Sequence, residues 1–212
     1  RKGKAVPEEG VVVEPAPGYR LVVVGASAGG LHALCSLVRG LPADFEIPVA
    51  IVQHRSKDSD LLCDLLQECT GLRVCEVSDK EEARPGFVYI APPDYHLLVD
   101  EGSFSLSTEA PVRFSRPSID VLFESAADAY GMDVVGVVLT GANADGSRGL
   151  RRIVEAGGLA VVQDPATAEV RVMPQAAIRA VPRACVLPLD SIAAHLAGIR
   201  GRRVPPCDAE RA

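Results

Sequence analysis

The sequence predicts an α/β fold: a doubly wound, mostly parallel sheet with helices on both faces and an antiparallel hairpin insert near one edge. Three observations carry that expectation. Aliphatic runs such as Leu21-Val22-Val23-Val24, and the stretch from Asp133 to Leu139, are apolar without alternation, as strands buried on both faces are. These runs alternate with stretches whose leucines recur at helical spacing. Between the two halves, short extended pieces are separated by Pro92-Pro93-Asp94 and Asp100-Glu101-Gly102, which punctuate hairpins.

Taken in order, residues 1–18 are rich in Pro, Glu and Val and predict a flexible tail or linker. Residues 19–200 predict one domain, and 201–212 a second flexible tail. Leu21 to Val24 is a strand. Leu31, Leu34, Leu37 and Val38 mark the helix after it. Ile47 to Val52 is a second strand, closed by Gln53-His54. Ser59 to Glu68 reads as a helix with Leu61, Leu62, Leu65 and Leu66 on one face, and Leu72 to Val77 as a strand. Gly86 to Ile90, His96 to Val99 and Ser103 to Ser107 form the hairpin block. Ser118 is the expected N-cap of a helix carrying Ile119, Leu122, Phe123, Ala126 and Tyr130. The strand Asp133 to Leu139 ends in Thr140-Gly141. A helix from Ser147 to Ala156, a strand from Leu159 to Val162, and a helix around Pro174 to Arg179 follow. A strand at Cys185 to Leu187 and a helix from Ser191 to Ile199, capped by Asp190, complete the domain.

Composition excludes several classes of function. The chain has 212 residues, 48% hydrophobic and 24% charged, enough for one sizeable core. Its net charge of −6 and the lack of a dense Lys/Arg cluster argue against nucleic acid. Arg148, Arg151 and Arg152 read as a solvated helix face. No apolar run reaches about 18 residues, so no membrane insertion is expected. Six cysteines (Cys35, Cys63, Cys69, Cys75, Cys185 and Cys207) form no C-x-x-C pair. They read as packed, reduced thiols of a cytoplasmic protein, not as a metal site. No signal peptide is visible; the chain opens on Arg1 rather than Met, as a fragment would.

The candidate site begins at Gly25-Ala26-Ser27-Ala28-Gly29-Gly30. Strand, tight turn and helix with G-x-S-x-G spacing make the pattern of a nucleophile elbow, in which a serine is held exposed on the turn. The same glycines would also serve a plain βα turn or a phosphate cradle. Function in an open parallel sheet collects at the carboxyl ends of the strands. Ser27 follows the first strand, His54 the second, and Asp145 lies in the loop after the strand ending near Leu139. A serine hydroxyl needs an imidazole to take its proton, and the imidazole needs a carboxylate to hold its tautomer. His96 is the rival base, while His32 and His195 read as surface or core residues. Asp145 would equally cap the following helix.

A nucleotide-binding module, including an NADP binder, is the alternative. The glycines miss the G-x-G-x-x-G spacing, and Gln53-His54 stands where an NAD binder places an acidic residue. Arg55 and Lys57 would be the residues meeting a 2′-phosphate.

At these residues the sequence resembles the catalytic domain of the chemotaxis protein-glutamate methylesterase CheB family. The resemblance runs from about 20 to 190. It is carried by Gly25 to Gly30, Gln53-His54, Gly86 to Val99, Arg116-Pro-Ser-Ile-Asp-Val-Leu-Phe123, Leu139 to Gly146 and Met173-Pro-Gln-Ala-Ala-Ile178. It implies a serine hydrolase with Ser27 as nucleophile, His54 as base and Asp145 as its orienter, acting without metal or organic cofactor. The implied reaction removes methyl esters from receptor glutamates, with glutamine deamidation as a second activity. The implied oxyanion donors are the backbone N–H groups of Ala28 and Ala142; Arg116 and Met173 are the substrate-binding candidates. The implied partners are the cytoplasmic helices of methyl-accepting chemotaxis receptors, with a receiver, methyltransferase or sensor module possible in a longer chain. Two departures stand out. The family's Met-Gly in the aspartate loop is Ala142-Asn143 here, and no receiver domain is expected in this chain. A catalytically impaired, receptor-binding descendant is a further alternative.

Overall fold

A computed structural model describes residues 18–55 and 61–199. The expected tails therefore lie outside the described residues but for Gly18, as do Lys57, Ser59 and Cys207. Seven strands form one sheet: β1 (Leu21–Ala26), β2 (Val49–Gln53), β3 (Arg73–Glu76), β4 (Phe87–Ile90), β7 (Val134–Val138), β8 (Leu159–Gln163) and β9 (Cys185–Leu187). Their order is β3-β4-β2-β1-β7-β8-β9, and every neighbouring pair is parallel. The hairpin β5 (His96–Asp100) and β6 (Ser103–Ser107) forms a separate two-stranded antiparallel sheet.

The strands are apolar on both sides because both sides are covered. Along β1, Val22 and Val24 enter one core while Leu21 and Val23 enter the other. The first core is shared with α1 (Gly30–Gly40), α2 (Leu62–Gln67) and α6 (Leu189–Ile199). The second is shared with α3 (Ile119–Tyr130), α4 (Ser147–Glu155) and α5 (Val172–Ala180). Each fully buried aliphatic side chain stabilises the fold by about 1.5–3 kcal/mol, so the two layers hold the sheet without help from its edges.

The chain leaves β1 for β2 on one side and later returns to β7 on the other. The sheet therefore reverses its winding at β1, where strand ends part and leave a crevice. Ser27, His54 and the loop bearing Asp145 all lie at this end.

Several local expectations change. Phe87 to Ile90 is no part of the hairpin. Val88 and Ile90 face one core and Tyr89 the other, which requires an internal parallel strand between β3 and β2. In α1 the buried set is Gly30, Ala33, Leu34, Leu37 and Val38, leaving Leu31 exposed. In α2 only Leu62 and Leu66 are buried, and Leu61 and Leu65 face outward. Asp190 falls inside the first turn of α6 rather than before it. The three arginines of α4 are exposed, as expected, and each is paired: Arg152 with Asp128 of α3 at 2.7 Å, Arg148 with Glu124 of α3, and Arg151 with Glu155 of its own helix at 3.7 Å. Exposed pairs of this kind contribute little, about 0–1 kcal/mol.

Candidate active site

The elbow after β1 is tied to both neighbouring strands. The Ser27 N–H donates to the Thr140 carbonyl at 3.0 Å, and the Gly30 N–H donates back to the Ser27 carbonyl at 2.8 Å. Gln53 Nε2 donates to the carbonyls of Ser27 (2.9 Å) and His54 (3.0 Å), clamping the ends of β1 and β2 together. Thr140 Oγ1 donates to the Ala28 carbonyl at 2.9 Å. Gly29 has φ 75°, a conformation that costs an L side chain and suits glycine. Gly141 is needed for a different reason. A Cβ there would lie 2.9 Å from Ser27 Cβ and 2.5 Å from Met173 Cε, so only glycine lets the aspartate loop rest on the elbow.

His54 extends β2, its N–H donating to the Ala26 carbonyl at 3.0 Å. Its Nε2 lies 2.9 Å from Asp145 Oδ2, with 14% of the histidine side chain and 1% of the aspartate exposed. Asp145 accepts four further hydrogen bonds: from Ser118 Oγ (2.9 Å), Ile119 N (2.7 Å), Asp120 N (3.0 Å) and Gly146 N (3.1 Å). The first turn of α3 thus points its free N–H groups at a carboxylate from another loop. Burial alone would push the Asp145 carboxyl up. The hydrogen bonds from His54 and from the Asp120 and Ile119 amides outweigh it and hold the carboxyl below its usual range.

An ionised Asp145 accepts the proton on Nε2 and so leaves the lone pair on Nδ1, the nitrogen able to act as base. The Asn143 side chain reaches that nitrogen. Its Oδ1 accepts the Asp145 N–H at 3.1 Å, which turns Nδ2 toward His54 Nδ1 at 3.4 Å. Ser27 is half-buried at the neighbouring strand end, and its hydroxyl makes no hydrogen bond among the described residues. Catalytic contacts often close only once substrate is bound. Ala28 and Ala142 are exposed residues whose backbone N–H groups donate to no acceptor among the described residues, whereas the Gly141 N–H is taken by the Val170 carbonyl.

Both substrate-binding candidates have partners within the fold, Arg116 in a salt bridge, the equal alternative to holding substrate. Arg116 Nε and Nη2 bind Asp94 Oδ1 at 3.1 and 2.7 Å, and Nη1 binds the carbonyls of Thr108 and Glu109. Its charge is neutralised and it serves as a brace, although it lines a cavity of about 150 Å³ with His54, Arg55, Phe114, Ser115 and Pro117. Met173 is fully buried beneath Gly141, where it supports the loop from below and is closed to a substrate.

Three residues escaped sequence reasoning in these roles. Ser118 is the residue before α3, yet its hydroxyl caps nothing and donates to Asp145 instead. His96, read as a rival base, is 2% exposed; its Nδ1 accepts the Ser118 N–H at 3.2 Å and its Nε2 faces the Ala110 carbonyl at 3.2 Å. With both nitrogens engaged it has no lone pair to offer a substrate. Asn143 was visible only as a departure from a motif. The sequence placed Ser118 and Asp145 at two helix starts 27 residues apart, and only the packing of α3 on α4 joins them.

Arg55, the arginine of the NADP alternative, pairs with Glu76 at 2.8 Å. No group of three or more His, Cys, Asp or Glu among the described residues is placed to hold a metal ion. None of the described helices is long and apolar enough to cross a membrane.

A parallel α/β domain with a half-buried imidazole bound to a buried carboxylate at its switch point, beside a serine-bearing elbow, has the make-up of a hydrolase. A family model described as CheB methylesterase matches residues 22–196, and the chain belongs to that family. A putative protein-glutamate methylesterase/protein-glutamine glutaminase of Leptospira interrogans is 49% identical over 177 residues, 82% of this chain and 92% of the relative. Protein-glutamate methylesterase FrzG of Myxococcus xanthus is 40% identical over 192 residues, 90% of this chain and 58% of the relative. The crystal structure of the Thermotoga maritima CheB methylesterase catalytic domain superposes with a TM-score of 0.81 at 33% identity, covering 85% of this chain and 98% of that one.

Proposed function

We propose that the chain hydrolyses the γ-methyl esters of glutamate side chains on the cytoplasmic helices of methyl-accepting chemoreceptors, with Ser27, His54 and Asp145 as its catalytic residues. The observation that carries this reading is the 2.9 Å His54–Asp145 contact at the strand end beside the Ser27 elbow. Ser27 Oγ attacks the ester carbonyl carbon as its proton passes to His54 Nδ1. The tetrahedral oxygen takes up negative charge within reach of the Ala28 and Ala142 N–H groups, where one donor contributes about 3–4 kcal/mol. Collapse breaks the C–OCH3 bond, and the Nδ1 proton leaves with methanol. A water then repeats the sequence on the acyl-serine, returning a glutamate carboxylate and free Ser27.

Asp145 stays ionised throughout and stabilises the imidazolium. Its bond runs to Nε2, so Nδ1 works toward the substrate. The same steps applied to a glutamine amide release ammonia, in keeping with the second activity in the name of the Leptospira relative. No step needs a metal or an organic cofactor. The protein works in the cytoplasm on this reading, where receptor signalling helices are reached, and a receiver, methyltransferase or sensor module in a longer chain would govern it.

The test is release of labelled methanol from a receptor cytoplasmic fragment methylated with labelled methyl groups. Release with appearance of the glutamate side-chain carboxylate in the receptor supports the reading; a folded chain that releases none overturns it and leaves a receptor-binding descendant.

A further inference from the structure

Residues Val112 to Ser115 make a two-residue turn, with Val112 N donating to Ser115 O (3.1 Å) and Ser115 N to Val112 O (2.9 Å). Its central residues, Arg113 and Phe114, have φ 47° and 67°. Such turns require the left-handed region at both centres and normally hold Asn-Gly. An arginine and a phenylalanine are costly there. Arg113 lends its charge to the buried Asp120, but Phe114 gains no packing in return, being 103% exposed. Backbone strain of this kind is retained where it serves a contact.

The turn stands beside the reaction centre. Phe114, Ser115, Arg116 and Pro117 share the cavity of about 150 Å³ with His54 and Arg55. Arg55 also lines a second cavity, of about 100 Å³, with Leu31, Gln53, Leu62 and Leu65. Leu31 and Leu65 are two of the exposed large apolar residues, at 42% and 39%. A strip with apolar ends thus runs from Phe114, past the polar His54, Arg55, Ser115 and Arg116, to Leu31 and Leu65.

A cavity of this size admits one side chain. A helix about 10–12 Å across stays outside it, lying over the rim. We propose that this strip docks the substrate helix, with Phe114 as its anchor against the apolar stripe of that helix and the exposed Arg113 facing its neighbouring carboxylates. This rests on the function proposed above, which makes the substrate a glutamate-bearing helix. The strain at Arg113 and Phe114 is then the cost of presenting the anchor.

The test compares Phe114→Ala, and the double variant Arg113→Asn/Phe114→Gly, with wild type on two esters: methylated receptor helices and a small glutamate γ-methyl ester. Both variants lose about tenfold or more in kcat/KM on the receptor, as hot-spot anchors do, and keep turnover of the small ester. The double variant also melts at a higher temperature, since its turn is relieved. Equal loss on both esters, or no loss on the receptor, overturns the proposal. If wild type turns over neither ester, the functional reading has failed on its own. Anisotropy of a labelled receptor helix then decides the strip, supporting it if Phe114→Ala weakens binding and overturning it if not.

Discussion

Asp145 and Asp120 are buried together where α3 meets α4, with 1% and 0% of their surface exposed, yet their carboxyl groups shift in opposite directions. Burial raises both. Asp145 answers it with five donors and ends below its usual range. Asp120 has the Gly149 N–H at 2.8 Å, and its Oδ2 has no hydrogen-bond partner; Arg148 Nε stands 3.9 Å away. Burial dominates there, the nearby Asp145 charge adds to it, and the carboxyl is raised. The two histidines divide likewise. His54 has one nitrogen bound tightly and the other held only by a 3.4 Å contact, whereas His96 is engaged at both. Depth of burial does not distinguish working groups from structural ones here; the donor count around each atom does.

The largest expected effect breaks the histidine comparison. His54→Gln should cut methanol release by about 10⁴-fold or more with little change in melting temperature. His96→Gln should instead lower the melting temperature, with activity per folded molecule within about a few-fold of wild type. Equal activity losses in steady-state assays of the two purified variants would erase the distinction. Asp145→Asn comes next. The amide places a donor against the Ile119 N–H or His54 Nε2–H, so kcat should fall about 10³–10⁴-fold. Thermal melting should show a destabilisation of about 1–3 kcal/mol from the unpaired donor.

Ser118→Ala sharpens the carboxylate comparison by removing one of the five donors. A hydrogen bond to a charged group is worth about 1.5–3 kcal/mol, and chemical denaturation should show a loss in that range, with turnover reduced less than by Asp145→Asn. Asp120→Asn tests the other carboxylate. A raised carboxyl favours folding below the unfolded value and loses that contribution as pH rises through the folded one. The melting temperature of Asp120→Asn relative to wild type should therefore climb as pH rises from about 4 and then level off. The smallest effect is at Asn143→Gly. Freeing Nδ1 from a neutral contact of about 1 kcal/mol should raise kcat/KM by about fivefold or less. A large fall would instead assign the amide a direct role in turnover.

The sequence made the crevice legible because three chemistry-bearing residues follow three strands, and strand ends can be read from where aliphatic runs stop. It left β4 in the hairpin block because turn residues flank it as they flank β5 and β6. Only pairing with β2 and β3 distinguishes it. Leu31 and Leu65 look like core residues by spacing, and their exposure follows from which helix face the sheet covers. Met173 and Arg116 belong to motifs, but a motif does not say which way a side chain points. One lies under Gly141 and the other is held by Asp94, contacts made across 32 and 22 residues. The contact of Ser118 with Asp145, and the bond of His96 to the Ser118 N–H behind it, depend on α3 meeting the loop after β7, which no local pattern encodes.

The account depends on Ser27 becoming a nucleophile when His54 takes its proton. The direct measurement is labelled-methanol release from methylated receptor by Ser27→Ala, on protein whose melting temperature matches wild type. The account predicts a fall of about 10⁴-fold or more, to the residue left by binding and backbone donors alone. A folded Ser27→Ala variant that keeps a sizeable share of wild-type release would contradict it.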